Sequence, residues 1–210
     1  MPKKSLEKKL DDIYSDAIDN VKDAFKHHDR PDHDFRNRFA HTLRVMKWGE
    51  RIISLAGKGD GPVIRIAILF HDAGWEEKKP HNEVGAAMAE KFLKKYDLPK
   101  RLTKKIVSCV YHHNIRDAKV GYDERIVMDA DLLDEVGITA MLFDTFQTAY
   151  RKNPSYVQVL KRSITYYDRV ASHAKELRTR AGKQLFKERL AVYQTCINEL
   201  KYELKGEEKR

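Results

Sequence analysis

The chain has 210 residues, 41% of them hydrophobic, which is enough for one domain with a substantial core, and we expect a single domain over residues 1–210. Charged residues among the first nine positions, and no run near the roughly 18 apolar residues of a membrane span, make us expect no signal peptide and no membrane partner. The two cysteines have no metal-ligand or redox spacing, which favours a cytoplasmic protein. The formal net charge of +9 favours anionic partners, either a small phosphorylated substrate or a nucleic acid.

Apolar residues at helical spacing predict three helices in the first third of the chain. An N-terminal helix lies within residues 1–30 and is followed by a polar loop that contains proline. A second helix runs from about residue 35 to residue 56, and the glycine-rich segment 57–62 separates it from a third helix. The third helix is an almost uninterrupted apolar run that closes with His71 and Asp72.

The rest of the chain predicts more helices and no sheet. The predicted helices cover about residues 81–96, 99–113, 123–136, 138–151, 154–177 and 182–204. No segment alternates long enough to predict a central strand, so we expect an all-α fold. In this interpretation residues 35–137 form the core of the domain, residues 138–204 add C-terminal helices, and residues 205–210 are a polar tail.

Four polar side chains occupy positions that the helical pattern turns inward. They are His41, His71, Asp72 and Asp131. Burying unpaired carboxylates costs several kcal/mol or more, so such a set needs either a hydrogen-bond network or a cation. A divalent metal ion is the simplest compensating charge.

The order of these residues on separate helices resembles the HD superfamily of metal-dependent phosphohydrolases. The resemblance covers about residues 35–137, and a later segment at 177–181 is similar to the family's C-terminal arm. Four local strings carry it: HTLRV at 41–45, LFHDAG at 69–74, YHH at 111–113 and MDADLLD at 128–134.

The resemblance implies that His41, His71, Asp72 and Asp131 are metal ligands, with Asp72 able to bridge two ions. Imidazole and carboxylate donors suit a divalent ion such as Mn, Fe, Co, Ni, Zn or Mg. The implied activity is hydrolysis of a phosphate ester or anhydride by metal-activated water. The implied substrate is a small anionic metabolite, with nucleotides as the leading class.

Further residues have predicted roles beside that ligand set. Asp72 or Glu76 could accept a proton, and Arg44, His81 and His113 could contact the substrate phosphate. Arg44 serves equally well as the ion-pair partner of an acid, and Glu76 equally well as an ordinary loop charge. His113 faces inward on its helix, whereas His112 lies nearer the edge of the apolar face.

Two other functions stay open on the sequence. His81 with His112 or His113 could hold a second ion, as in the dinuclear oxygenases and phosphodiesterases that share this scaffold. The third possibility is a basic helical protein that binds nucleic acid and keeps the metal only for structure. We rank it last, because no recognition-helix pattern or interleaved aromatic platform accompanies the positive charge.

Overall fold

The computed structural model describes residues 3–26, 37–75, 79–152 and 155–205. Within these ranges, no helix combines the length and apolar character needed to cross a membrane. The regular secondary structure of the described ranges is helical, which confirms the all-α prediction. The helices are α1 (Lys3–Phe25), α2 (Arg38–Ala56), α3 (Gly61–Phe70), α4 (His81–Leu93), α5 (Lys100–His112), α6 (Tyr122–Asp134), α7 (Ile138–Lys152), α8 (Tyr156–Ser172), a 3-10 turn (His173–Glu176) and α9 (Arg180–Lys205).

The chain divides into two compact units, Met1–Asp131 and Leu132–Arg210. We call them the N-terminal unit and the C-terminal unit. The single domain expected from the sequence stays a prediction.

The N-terminal unit is built around α3, which packs against α1, α2, α4 and α5. A helix that is apolar on all sides is stable only when other elements cover it. From Val63 to Phe70, every residue of α3 is buried except Arg65, whose guanidinium pairs with Asp11 at 3.1 Å. The apolar run seen in the sequence is therefore the central helix of this unit, and its C-terminal end delivers His71 and Asp72 into the interior.

Local signals set the ends of the helices beside the site. The Asn37 side chain accepts a hydrogen bond from the backbone N–H of Ala40 and begins α2 at residue 38, three residues later than predicted. Gly57 ends α2 in the left-handed conformation, with φ of 64°. Asp60 caps α3 by accepting from the N–H of Val63.

Helices α4 and α8 end several residues earlier than their apolar patterns suggested. α4 stops at Leu93 rather than residue 96. The residues after it form hydrogen bonds that span three positions rather than the four of an α-helix, from the N–H of Lys95 to Phe92 O and from the N–H of Tyr96 to Leu93 O. α8 stops at Ser172, and a 3-10 turn covers residues 173–176 in place of the predicted continuation to 177. Apolar spacing of three and four residues does not separate these turns from an α-helix.

The C-terminal unit contains α7, α8 and α9. Asp144 is buried and accepts two close hydrogen bonds from Arg162, at 2.8 Å from Nη2 and 3.1 Å from Nε. Tyr193 is also buried, and its hydroxyl donates to the carbonyl of Ser163. Paired polar groups of this kind fix the register of α7 and α9 against α8.

Candidate metal centre

Five elements of the N-terminal unit bring histidines and aspartates to one place. His41 lies on α2, His71 and Asp72 follow α3, His81 begins α4, His113 follows α5, and Asp131 lies on α6. These six side chains form two groups whose ligand atoms lie within 4.8 Å of one another in each group.

The first group consists of His41, His71 and Asp131. The Nε2 atoms of His41 and His71 are 3.2 Å apart. Oδ1 of Asp131 lies 3.5 Å from Nε2 of His41 and 3.9 Å from Nε2 of His71. His71 is fully buried, whereas His41 and Asp131 are partly exposed.

The second group consists of Asp72, His81 and His113. The Nε2 atoms of His81 and His113 are 3.1 Å apart. Oδ1 of Asp72 lies 3.5 Å from Nε2 of His81 and 3.8 Å from Nε2 of His113. The second group therefore repeats the composition of the first, with two imidazoles and one carboxylate.

Asp72 connects the two groups through its other oxygen. Oδ2 of Asp72 lies 3.7 Å from Nε2 of His41 and 3.8 Å from Nε2 of His71. Each oxygen of this one carboxylate thus faces a different pair of imidazoles. Asp72 is 5% exposed, so protein groups rather than bulk water surround it.

Backbone carbonyls fix the ring orientation of His71 and His113. Nδ1 of His71 lies 2.7 Å from the carbonyl of Ile68, and Nδ1 of His113 lies 2.7 Å from the carbonyl of Val110. A carbonyl only accepts, so each Nδ1 carries the hydrogen, and Nε2 of the neutral ring keeps its lone pair toward the site.

This donor arrangement fits a metal ion. Two nitrogens held about 2.1 Å from one ion, as in protein zinc sites, are roughly 3.0–3.4 Å apart when the nitrogen–metal–nitrogen angle is between about 90° and 110°. The two Nε2 pairs fall inside that range, at 3.1 and 3.2 Å. His and Asp residues of both groups can therefore hold divalent metal.

The electrostatics of the site favour anionic carboxylates at Asp72 and Asp131. Burial raises the pKa of Asp72, but nearby His71, His41 and Arg38 outweigh burial and leave this pKa below its ordinary value. Burial also raises the pKa of Asp131. A hydrogen bond from His41 and the nearby charges of His71 and Arg116 outweigh burial, so this pKa is lowered.

The histidines of the second group shift in the direction of the neutral ring. Burial, followed by the neighbouring His71, lowers the pKa of His113 to about 4. Burial also lowers the pKa of His81, and the opposing charge of Asp72 does not cancel that effect. Deprotonated imidazole and ionised carboxylate are the forms that bind metal.

Two arginines at the site were not among the predicted residues. Nη1 of Arg38 donates to Oδ2 of Asp72 at 2.6 Å, and its guanidinium lies 3.7 Å from the ring centroid of Trp75. Nη2 of Arg116 donates to Oδ2 of Asp131 at 3.1 Å. Arg38 lies three residues before His41, a spacing that shares a helix face and could have identified it. Arg116 lies in a loop, where periodicity carries no signal.

Two predicted site residues keep roles that stay predictions, and His112 lies outside the two groups. Glu76 lies outside the described residues, and its role stays a prediction. Arg44 is half-buried on α2, and its contact with substrate also stays a prediction. His112 turns away to the neighbourhood of Ser108 and Glu124, with Nδ1 at 3.0 Å from the Ser108 carbonyl and 3.6 Å from Oε1 of Glu124.

A known protein family matches the part of the chain that contains this site. Residues 38–136 match the family model of the HD domain. A search of curated protein sequences gave no match.

Solved structures resemble the chain over nearly its whole length. The Lin1889 protein of Listeria innocua is 26% identical, with a TM-score of 0.66 over 95% of this chain and 99% of that one. An HD-superfamily hydrolase of Bacillus thuringiensis is 19% identical, with a TM-score of 0.73 over 93% and 98% of the two chains. YpgQ of Bacillus subtilis, crystallised in complex with ADP, is 16% identical, with a TM-score of 0.68 over 92% and 96%.

Proposed function

We propose that the chain is a divalent-metal-dependent phosphohydrolase, because residues 38–136 match the family model of the HD domain. Its proposed substrate is a phosphate ester or anhydride of a small anionic metabolite, and the proposed class of metabolite is nucleotides. The observation that carries the proposal is the position of Asp72, whose two oxygens each face a pair of imidazole nitrogens within 3.8 Å.

The proposed ligands divide between the two groups. His41, His71, Asp131 and Oδ2 of Asp72 would hold one ion, and His81, His113 and Oδ1 of Asp72 would hold a second. All donors are nitrogen or oxygen, which suits Mn, Fe, Co, Ni, Zn or Mg and makes a thiolate zinc site unnecessary. In this proposal His81 and His113 are ligands rather than the direct phosphate contacts expected from the sequence.

Metal bound by these residues would lower the pKa of a bound water and polarise a phosphoryl oxygen. The protein holds the imidazoles of His71 and His113 in one orientation through backbone carbonyls, which limits reorganisation during the reaction. Arg38 borders the site with a guanidinium that carries five donors, and its side chain is 27% exposed, so it can reach a substrate phosphate. Asp72 or Glu76 remains the proposed proton acceptor.

Two facts support a nucleotide as substrate. The net charge of +9 favours association with polyanionic molecules such as nucleoside diphosphates and triphosphates. The fold that this chain shares with YpgQ accommodates ADP in that protein.

The test is phosphate release by purified, chelator-stripped protein that has been reloaded with one metal at a time. We expect hydrolysis of an aryl phosphate or of members of a nucleotide panel with Mn²⁺, Co²⁺ or Ni²⁺, and loss of that activity in His71→Ala and Asp72→Ala. His173→Ala is the matched control, because His173 belongs to the C-terminal unit and contacts Glu176. Activity that survives both site substitutions refutes the assignment.

The second ligand group supports one alternative, a dinuclear phosphodiesterase or oxygenase of the same scaffold. Its distinguishing feature would be two bound ions together with turnover of cyclic or linear dinucleotides, or with oxygen consumption by the iron-loaded protein. Two ions with release of phosphate from mononucleotides would favour the phosphohydrolase instead.

A further inference from the structure

The outward face of α7 in the C-terminal unit is apolar. Between residues 138 and 150 the exposed side chains of this helix are all apolar: Ile138, Leu142, Phe146, Ala149 and Tyr150. The large members follow one another at intervals of four residues and are 38–62% exposed. The helix has one charged residue in this range, Asp144, which is buried and paired with Arg162.

This pattern is the reverse of the usual surface helix, which turns charged residues to water. We call Ile138, Leu142, Phe146 and Tyr150 the α7 stripe. Contiguous apolar surface of this kind marks a site of contact with another molecule.

A pocket adjoins the beginning of the stripe. It has a volume of about 170 Å³ and is lined by Gly137, Ile138, Glu188, Arg189 and Val192. A cavity of about 150 Å³ is large enough for a benzene ring. Phe146 lies eight residues after Ile138 on α7, which corresponds to about 12 Å along the helix axis. The same face therefore carries an aromatic side chain and a pocket that can receive one.

We propose that the α7 stripe is the interface of a homodimer whose two-fold axis passes beside Leu142. Antiparallel pairing about that axis sets Phe146 of one protomer against the pocket at Ile138 of its partner, and the reverse contact follows by symmetry. Such exchange of identical contacts is what a two-fold interface requires. Side chains spaced by four residues form the ridges that interlock when two helices cross at about −50°.

Charge favours a second copy over other occupants. Each protomer carries a net charge of +9, so two copies repel each other least through a surface that does not place like charges face to face. The α7 stripe meets that condition because its exposed side chains are uncharged. A nucleic acid or an anionic lipid surface would instead favour a face rich in lysine and arginine.

The exposed apolar area of the α7 stripe is also of the order that a dimer interface requires. An aromatic side chain has roughly 150–250 Å² of surface, so Phe146 at 53% and Tyr150 at 62% exposure present on the order of 200 Å² together. With the aliphatic side chains of the stripe and Val192, the apolar area approaches about half of the ~800 Å² that each partner buries in a standard interface. A polar rim supplies the remainder in typical interfaces.

The first test is the molar mass of the full chain by light scattering after gel filtration, from low to high micromolar concentration. We expect a dimer of twice 24.5 kDa, and a dissociation constant raised about tenfold or more in Leu142→Glu. The matched control is Leu55→Glu, since Leu55 on α2 is 54% exposed and lies in the N-terminal unit. Circular dichroism confirms that both variants remain folded.

The second test places a thiol on the proposed axis in a Cys196→Ser background, which removes the partly exposed native thiol and keeps the buried Cys109. Leu142→Cys should form a disulfide-linked dimer on mild oxidation, because the axis brings the two copies of this position together, whereas Leu55→Cys should not. A monomeric wild type at all concentrations, a dimer that Leu142→Glu leaves intact, or equal cross-linking at the two positions overturns the proposal. So does a monomer that binds lipid vesicles or a foreign protein through the stripe.

Discussion

Asp72 is the residue on which the proposed stoichiometry of metal depends. Its Oδ2 faces His41 and His71, and its Oδ1 faces His81 and His113, all at 3.5–3.8 Å. We expect Mn²⁺-loaded protein to retain two ions per chain, His81→Ala to retain one, and Asp72→Ala to lose both on gel filtration, as measured by elemental analysis. A wild type with one ion, or His81→Ala with two, would contradict the division into two groups.

Arg116 is a second residue with a specific expected effect. It donates to Oδ2 of Asp131 and, through Nη1, to the carbonyls of His113 and Met128 at 3.0 Å. Loss of a group that orients a ligand typically lowers metal affinity by about tenfold to a hundredfold. We expect Arg116→Met to do so in a chelator competition titration, with little recovery in Arg116→Lys because lysine lacks the planar fork.

The control for Arg116 is Arg101→Met, since Arg101 is an exposed residue of α5. Equal metal affinity in Arg116→Met and Arg101→Met would show that the bond to Asp131 has no role in binding.

The lowered pKa of His113 predicts how the stability of the metal-stripped protein responds to acid. Its pKa is about 4 in the folded chain against 6.5 when unfolded, so the unfolded chain binds the proton first as pH falls. The free energy of unfolding therefore decreases as the pH falls from 6.5 to 4, by up to about 3 kcal/mol for this group. His81 shifts in the same direction, whereas the lowered pKa values of Asp72 and Asp131 act at lower pH.

Urea titrations of the metal-stripped protein at several pH values measure this dependence. We expect a shallower loss of the free energy of unfolding between pH 6.5 and 4 in His113→Gln than in wild type or His173→Gln. Parallel pH profiles for all three proteins would rule out His113 as a source of the effect.

At the scale of elements, the close approach of α3 and α4 sets the distance between the two ligand groups. A methyl group at Gly85 would lie 2.6 Å from the carbonyl oxygen of Phe70, and one at Gly74 would overlap the backbone nitrogen of Gly85. Alanine normally stabilises a helix interior by up to about 1 kcal/mol over glycine. We expect the opposite at Gly85, with Gly85→Ala destabilised by about 1–3 kcal/mol and weaker in binding the second ion.

Gly49→Ala is the control for this prediction. Its added methyl group would meet the flexible end of Ile68, at 2.9 Å, rather than backbone. Urea unfolding should therefore show a smaller loss than in Gly85→Ala. A neutral or stabilising Gly85→Ala would mean that α4 can move away from α3 without cost.

The same elements show what the sequence could and could not predict. Apolar spacing predicted the helices and the inward position of His71, because burial imposes a period that a single chain displays. The separation of the two oxygens of Asp72 depends on how α3, α4 and α5 pack, and spacing along one helix does not contain that information. Arg116 approaches Asp131 from a loop, and the α7 stripe follows the periodicity of a buried face although it is exposed.

For the whole molecule, the two tryptophans give a selective measurement of metal-linked stability. Trp48 and Trp75 are both in the N-terminal unit, so tryptophan fluorescence reports the unfolding of the unit that contains the site. An ion that binds only the folded chain stabilises it by about 2.7 kcal/mol at a free concentration of a hundred times Kd. For a unit of this size that corresponds to a rise in Tm on the order of 10 °C.

We expect Mn²⁺ to raise the fluorescence-detected Tm by that amount, chelator to reverse the rise, and Asp72→Ala to abolish it, while His173→Ala behaves as wild type. Trp75 lies 4.7 Å from the His81 ring, so bound metal can change the fluorescence amplitude, and the midpoint of the transition is the quantity to compare. Far-UV circular dichroism of the same samples follows helices of both units. A Tm that does not respond to metal would mean that the six side chains are stabilised by their mutual hydrogen bonds without an ion.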